Sequence, residues 1–290
     1  MQSASATAEQ PASNYTLDIP SMKISIITAT YNSASTLRDT IESVLAQTYT
    51  DIEYIVVDGA STDATSDIIR SYVPLFNGRM TYISEPDKGL YDAMNKGIAC
   101  ATGDVVGLLN SDDFYSSADT LEKIAAAFTS KHVDAVYGDV HYVDQTDLGH
   151  TVRHYSSRVF SPGLMRFGFM PAHPSFYCRR EIYRQYGVFD TSYKVAADFE
   201  LLLRLLVVHR ISTAYIPCDC VTMRAGGVSN SGFRSHYNIM RDHRRALRTH
   251  RIASCYFLLS LRYFYKIAEL FTSHFSRPVP LPSYIRERPA

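Results

Sequence analysis

The feature that most limits what this chain can fold into is an alternation between residues 23 and 140. Unbroken apolar runs recur there: KISIITA at 23–29, EYIVVD at 53–58, MTYIS at 80–84, DVVGLLN at 104–110 and DAVYGDV at 134–140. Between them apolar residues return at helical spacing: Leu37, Ile41, Val44 and Leu45; Ile68, Ile69 and Tyr72; Leu90, Met94 and Ile98; Leu121, Ile124, Ala125 and Phe128. Strand and helix thus alternate about every 25–30 residues. Strands apolar throughout, not at every second position, are expected to be buried on both faces. The fold class this predicts is α/β, a Rossmann-like, mostly parallel sheet flanked by helices. Ligands of such sheets bind beyond the carboxyl ends of the strands. Asp58 and the adjacent pair Asp112 and Asp113 end two of the runs, so the pattern gathers acidic residues at one rim.

After about residue 150 the rhythm breaks. HPSFYCRREIYRQYGVFD (173–190) reads as a short strand, a helix and a turn, AADFELLLRLLVV (196–208) as a helix, and ISTAYIP (211–217) as a last strand. GGVSNSG (226–232) reads as a flexible loop, and two helices are expected from His236 to about Ser273. Residues 1–21 have neither a basic start nor an apolar core and read as a disordered lead-in, not a signal peptide. No run reaches 18 apolar residues, so a spanning helix is not expected.

Composition removes several function classes. Lys+Arg and Asp+Glu balance at 29 each, which argues against a general nucleic-acid binder. The five cysteines, at 100, 178, 218, 220 and 255, are odd in number and form no C-x-x-C pair. That points away from a disulfide framework or zinc site and towards a reducing, cytoplasmic compartment.

The stretch VGLLNSDDFY (106–115) carries the sharpest chemistry: an apolar run ends in two side-by-side carboxylates. They repel unless a cation, an arginine or a proton offsets them. One reading is a helix cap, with Ser111, Asp112 or Asp113 opening the helix through Leu121. The other is a divalent cation, Mn²⁺ or Mg²⁺, shared between carboxylate and phosphate oxygens.

ISIITATYNSASTLRDTIESVLAQTY, EYIVVDGASTDAT and EPDKGLYDAMNKGIACATGDVVGLLNSDD, in that order, give the chain its resemblance. It is similar to the family 2 inverting glycosyltransferases of the GT-A fold, of the kind used in bacterial surface polysaccharide synthesis. The match is dense over 22–115 and looser to about 225. It implies a nucleotide-sugar half (22–115) and an acceptor half (116–232) of one domain spanning 22–232, then a helical extension and tail over 233–290. It places Asp58 against the nucleotide base, typically uracil, with Thr30 lining the nucleotide pocket. Asn32 beside it reads equally as a helix cap. Asp112 and Asp113 match the family's D-x-D-like element, written SDD here. Asp113 is then the metal ligand, for Mn²⁺ or Mg²⁺, and Asp112 the ribose- or sugar-side contact. Lys88 and Asp92 are either a surface ion pair four residues apart or contacts to phosphate and sugar hydroxyls.

An inverting transfer needs a base for the acceptor hydroxyl. The family's E-D pair falls on Ala197 and Asp198, so Asp198 is the expected base, with Glu200 the weaker choice and helix capping the alternative. His173, in PAHPSF, matches a stretch near the acceptor. Arg224, Arg234 and His236 flank the glycine-rich loop, which could close over a donor; His236 is not expected to reach the metal.

Residues 236–251 hold Arg241, Arg244, Arg245, Arg248 and Arg251 against one Asp, and 253–271 are rich in Phe, Tyr and Leu. This reads either as a helix packed on the domain with a solvated basic face or as an interfacial helix at the inner face of the cell membrane. The expected partners are a nucleotide-sugar donor and a glycan or lipid-linked saccharide acceptor, with no nucleic acid. Two rival functions stay open: a sugar nucleotidyltransferase, although TATYNSAST lacks the glycines of a phosphate loop, and a non-catalytic nucleotide-sugar-binding module.

Overall fold

The computed structural model describes residues 22–226, 232–262 and 281–286. The expected lead-in (1–21), most of the GGVSNSG loop and the second part of the tail lie outside them. The strands are β1 (Ile24–Thr30), β2 (Ile52–Asp58), β3 (Met80–Ser84), β4 (Val105–Leu108), β5 (Phe114–Tyr115), β6 (Ala135–Val143), β7 (Thr151–Tyr155), β8 (Tyr177–Arg179) and β9 (Thr213–Arg224). The helices are α1 (Leu37–Leu45), α2 (Thr65–Tyr72), α3 (Leu90–Cys100), α4 (Thr120–Lys131), α5 (Arg180–Tyr186), α6 (Ala197–Leu203) and α7 (Gly232–Thr249). A further helical stretch covers 256–262.

One nine-stranded sheet runs in the order β3-β2-β1-β4-β8-β6-β9-β5, with β7 paired to β6. β3, β2, β1 and β4 are mutually parallel. β8 runs antiparallel between β4 and β6, and β9 is parallel to β6. Six strands (β1, β2, β3, β4, β6 and β9) therefore point the same way, and their carboxyl ends share one rim. Short reversed strands complete the sheet: β5 on β9 and β7 on β6.

The continuous apolar strands are buried on both faces, as their composition requires. All seven residues of β1 are buried. Ile24 and Ile26 join one core with Leu37, Ile41, Val44, Ile69 and Phe128; Ile27 and Ala29 join the other with Met94, Ile98, Leu202 and Leu205. α3 lies close on β1: a Cβ at Gly97 would stand 2.3 Å from Ile27 Cγ2, so only glycine fits there.

Two differences from the sequence reading have physical causes, and one of its two alternatives for the tail is realised. β9 extends to Arg224, well past the expected ISTAYIP, because its polar second half is paired through β6 and β5. The Leu-rich helix is α6 followed by a π-helical turn, Arg204–Val208. α7 packs on the domain: Ala246 and Leu247, with Leu259 from the next helix, belong to the second core. No helix of the described residues is long and apolar enough to cross a membrane.

Candidate active site

The acidic pair sits in the turn between β4 and β5. It does not cap a helix: α4 starts later, with Asp119 at its N-cap position. The turn is held by the polar face of α1 and the loop before it. Thr36 Oγ1 donates to the Ser111 carbonyl (2.9 Å) and Thr40 Oγ1 to the Asp113 carbonyl (2.7 Å), while Ser33 and Ser111 hydroxyls bond at 2.9 Å. From the far end of β9, Arg224 donates to the Asp112 carbonyl and pairs with buried Asp39 of α1, its guanidinium 5.3 Å from the Phe114 ring.

Asp113 is 1% exposed, and one side-chain donor reaches its carboxylate, Asn110 Nδ2 at 2.8 Å. Burial first, and the neighbouring Asp112 second, push its carboxyl well above the usual carboxylate range. Burial raises Asp112 as well. Among the described residues no group of three or more His, Cys, Asp or Glu could hold a metal unaided. Two carboxylates on one turn nevertheless fit a hard cation that takes its remaining oxygens from a phosphorylated substrate.

Thr30, at the end of β1, places a buried Oγ1 with no hydrogen-bond partner among the described residues on the wall of a cavity. Asp58 does not reach that wall. It is fully buried, and its carboxylate accepts from Ser61 N (3.2 Å), Ser66 Oγ (3.2 Å), Ser84 Oγ (2.7 Å) and the Ser61 hydroxyl. Lys88 and Asp92 also lie off the wall and are not the ion pair considered from their spacing. Asp92 accepts the Lys88 backbone N–H (3.0 Å) at the start of α3, and its charge partner is Lys96 at 3.8 Å. The acid this region brings to the cavity is Asp87, whose Oδ2 would stand 2.4 Å from a Cβ at Gly59. Asn32 does not cap α1: with φ of 50°, it accepts from the Thr62 N–H (2.9 Å) and ties two rim loops together.

Across the cavity, Asp198 opens α6. Its Oδ1 accepts from Phe199 N (2.8 Å) and weakly from Tyr91 OH (3.4 Å). The Tyr91 hydroxyl also donates to the Val195 carbonyl (2.7 Å), fixing the segment ahead of Asp198. Burial raises the Asp198 pKa, opposed by His173; burial lowers His173, opposed by Asp198. Both groups line the cavity, with His173 held edge-on to Phe189 at 5.6 Å. Glu200 is excluded as a base by its own bonds: Arg204 grips both oxygens (3.0 and 3.1 Å), His250 takes one (2.8 Å), and it lies off the cavity.

The cavity encloses about 700 Å³, a volume typical of small-ligand sites. It joins Thr30, Asp87, Asp112 and Asp113 on one side to His173 and Asp198 on the other. Part of the remaining wall comes from β6, β7 and α7: Tyr142, Arg153, Tyr155, Ile239 and His236. Arg153 is sandwiched there, 4.5 Å from the Tyr142 ring and 5.5 Å from the Tyr155 ring. Sequence reading singled out His236 but missed the rest of this wall and Asp87; Asp87 was within reach, lying in the same EPDKGLYD segment as Lys88.

Comparison with known proteins is consistent along the chain. The family model described as glycosyl transferase family 2 matches residues 25–191. A PGL/p-HBAD biosynthesis glycosyltransferase of Mycobacterium tuberculosis is 32% identical over 210 residues, covering 71% of this chain and 79% of that protein. The crystal structure of S. aureus TarS 1-349 in complex with UDP superposes with a TM-score of 0.59 at 19% identity. That match covers 78% of this chain but 65% of TarS 1-349, less than two thirds of it. The mannosyltransferase PcManGT from Pyrobaculum calidifontis, in complex with GDP-Man and Mn²⁺, gives 0.56 at 18% identity over 87% and 81% of the two chains. At these identities the two structures speak for the fold alone, an α/β sheet flanked by helices of the GT-A kind.

Proposed function

Because this chain belongs to glycosyl transferase family 2 and is a glycosyltransferase, we propose that it is a metal-dependent inverting enzyme. It moves a sugar from a nucleoside-diphosphate donor to a hydroxyl of a glycan or lipid-linked acceptor. The observation that carries this reading is one cavity joining a buried, repelling carboxylate pair to a lone raised carboxylate at a helix start.

Thr30 and Asp112 contact the donor's nucleotide and sugar side. Asp58 acts one layer back, shaping the base pocket through the Ser61 turn it anchors, and Lys88 and Asp92 fix the α3 start beside Asp87 and Gly89. Asp113, with Asp112 beside it, would hold Mn²⁺ or Mg²⁺; a bound ion neutralises charge on the departing diphosphate. Asp198 accepts the proton of the acceptor hydroxyl. The oxygen then bonds to the anomeric carbon from the face opposite the breaking carbon–oxygen bond, whose electrons leave with the nucleoside diphosphate. A raised pKa suits Asp198 to this step, because a stronger base takes the proton more readily. His173 borders the acceptor hydroxyl and steadies the carboxylate.

A UDP-sugar is the proposed donor class, in keeping with the UDP complex of TarS. Cell-envelope polysaccharide assembly on the cytoplasmic side is the proposed setting. Incubating the full chain with UDP-sugars and Mn²⁺ separates the readings. Release of UDP supports transfer, uptake of pyrophosphate would mark a nucleotidyltransferase, and neither would mark a binding module.

A further inference from the structure

Two arginines of α7 have a visible structural task. Arg241 pairs with Asp242 at 3.5 Å, and Arg245 donates to the Ser192 carbonyl and hydroxyl at 3.0 and 2.7 Å. Arg244, Arg248 and Arg251 differ. They line one shallow concavity with Ile252, Ala253 and Ser254, where α7 ends. Among the described residues none of the three has a carboxylate within ion-pair distance.

The corner itself is well built. Arg251 adopts a left-handed φ of 58°, the Ile252 N–H bonds back to the Leu247 carbonyl (2.8 Å), and Ser254 Oγ donates to the Arg166 carbonyl (2.6 Å). Arg244 lies 4.4 Å from the Tyr256 ring. Next to it Phe257 is 71% exposed, although Leu259 two residues on is fully buried. Cations at a helix carboxyl end complement its dipole. That accounts for one such arginine, not for three converging beside a solvent-facing phenyl ring.

We propose that this corner docks the protein on an anionic phospholipid surface. Acidic headgroups satisfy the arginines while Phe257 enters the boundary with the acyl chains. A small soluble anion would satisfy the charges and leave Phe257 in water. The inference stands apart from the transferase reading, though the two fit together. The other end of α7 lines the catalytic cavity through His236, Ile239 and His243. The ten steps of α7 from Ile239 to Thr249 span roughly 15 Å at helical rise, so docking would hold the cavity near the membrane surface, where a lipid-linked acceptor resides.

The test is sedimentation of the full chain with phosphatidylglycerol–phosphatidylcholine vesicles against phosphatidylcholine alone, with UDP thermal shift as a separate arm. Wild type is expected to sediment with the anionic vesicles only and to be released by high salt. Arg248→Gln with Arg251→Gln should weaken partition by on the order of tenfold or more, and Phe257→Ser by a few-fold, with the UDP shift unchanged in both. Equal binding to neutral vesicles, unchanged partition in both variants, or release by inorganic pyrophosphate or RNA at micromolar concentration would overturn the proposal. Loss of the UDP shift in wild type would count against the donor reading alone.

Discussion

Asp58 closes β2 and Asp113 lies beyond the carboxyl end of β4, the strands on either side of β1, and both are buried. The protein completes one and leaves the other short. Asp58 takes hydrogen bonds from Ser61, Ser66 and Ser84. Among the described residues Asp113 has a single side-chain donor, Asn110, and a like charge as its neighbour. The contrast recurs at α6, where Glu200 is gripped by Arg204 and His250, while Asp198 has one backbone bond and a long contact to Tyr91. Burial alone therefore does not mark a functional acid at this rim. The informative acids are those whose charge the fold has not finished solvating, and these two face one cavity.

The strongest way to break the comparison is to exchange the acids of α6. Asp198→Asn is expected to cut transfer by about 10²–10⁴-fold, the usual worth of a positioned base, while the UDP-induced thermal shift stays the same. Glu200→Gln should do the reverse. It weakens the Arg204 ion pair and the His250 hydrogen bond and lowers the melting temperature, yet leaves the rate per folded molecule near wild type. Near-normal turnover in Asp198→Asn, or loss of turnover without loss of stability in Glu200→Gln, would reverse the assignment.

The comparison also separates what a sequence exposes from what only a fold can show. β1, β2 and β4 were legible because burial on both faces forces an unbroken apolar run. β7 was not: its residues are only partly buried, so no such run marks it. Asp112, Asp113, Asp198 and His173, each read from a contiguous motif, all line one cavity. The Arg224–Asp39 pair, which braces the acidic turn, joins residues 185 positions apart, and neither side chain carries a local trace of the other. Asp58 shows the opposite limit. Its position at a strand end was legible, but whether its carboxylate faced a ligand or three serines depended on rotamers and loops that no motif encodes.

A smaller effect tests the strand-end pair by sign. Asp58→Asn should destabilise the protein by about 1–3 kcal/mol, because it removes charge from a carboxylate that several buried donors serve. Asp113→Asn should instead stabilise the metal-free protein at neutral pH, because it removes a carboxylate whose ionisation burial and the neighbouring Asp112 both oppose. Chemical denaturation of the two variants measures both. Equal destabilisation would mean that Asp113 is as well served as Asp58.

The smallest effect is a pH dependence, and its direction follows from the raised pKa of Asp113. An unfolded aspartate titrates near ~3.9, and the folded one retains its proton to higher pH. Below the unfolded value both states are protonated. As pH rises towards the folded pKa, the unfolded chain ionises more readily, so this group's contribution to stability declines and is lost above that pKa. A divalent cation binds the ionised form and reverses that loss. The rise in melting temperature on adding Mn²⁺ should therefore be larger at pH 7.5 than at pH 5, and should vanish at both in Asp113→Asn. An Mn²⁺ increment that is flat across this range, or that survives the substitution, would place the cation elsewhere and leave the acidic pair unexplained by it.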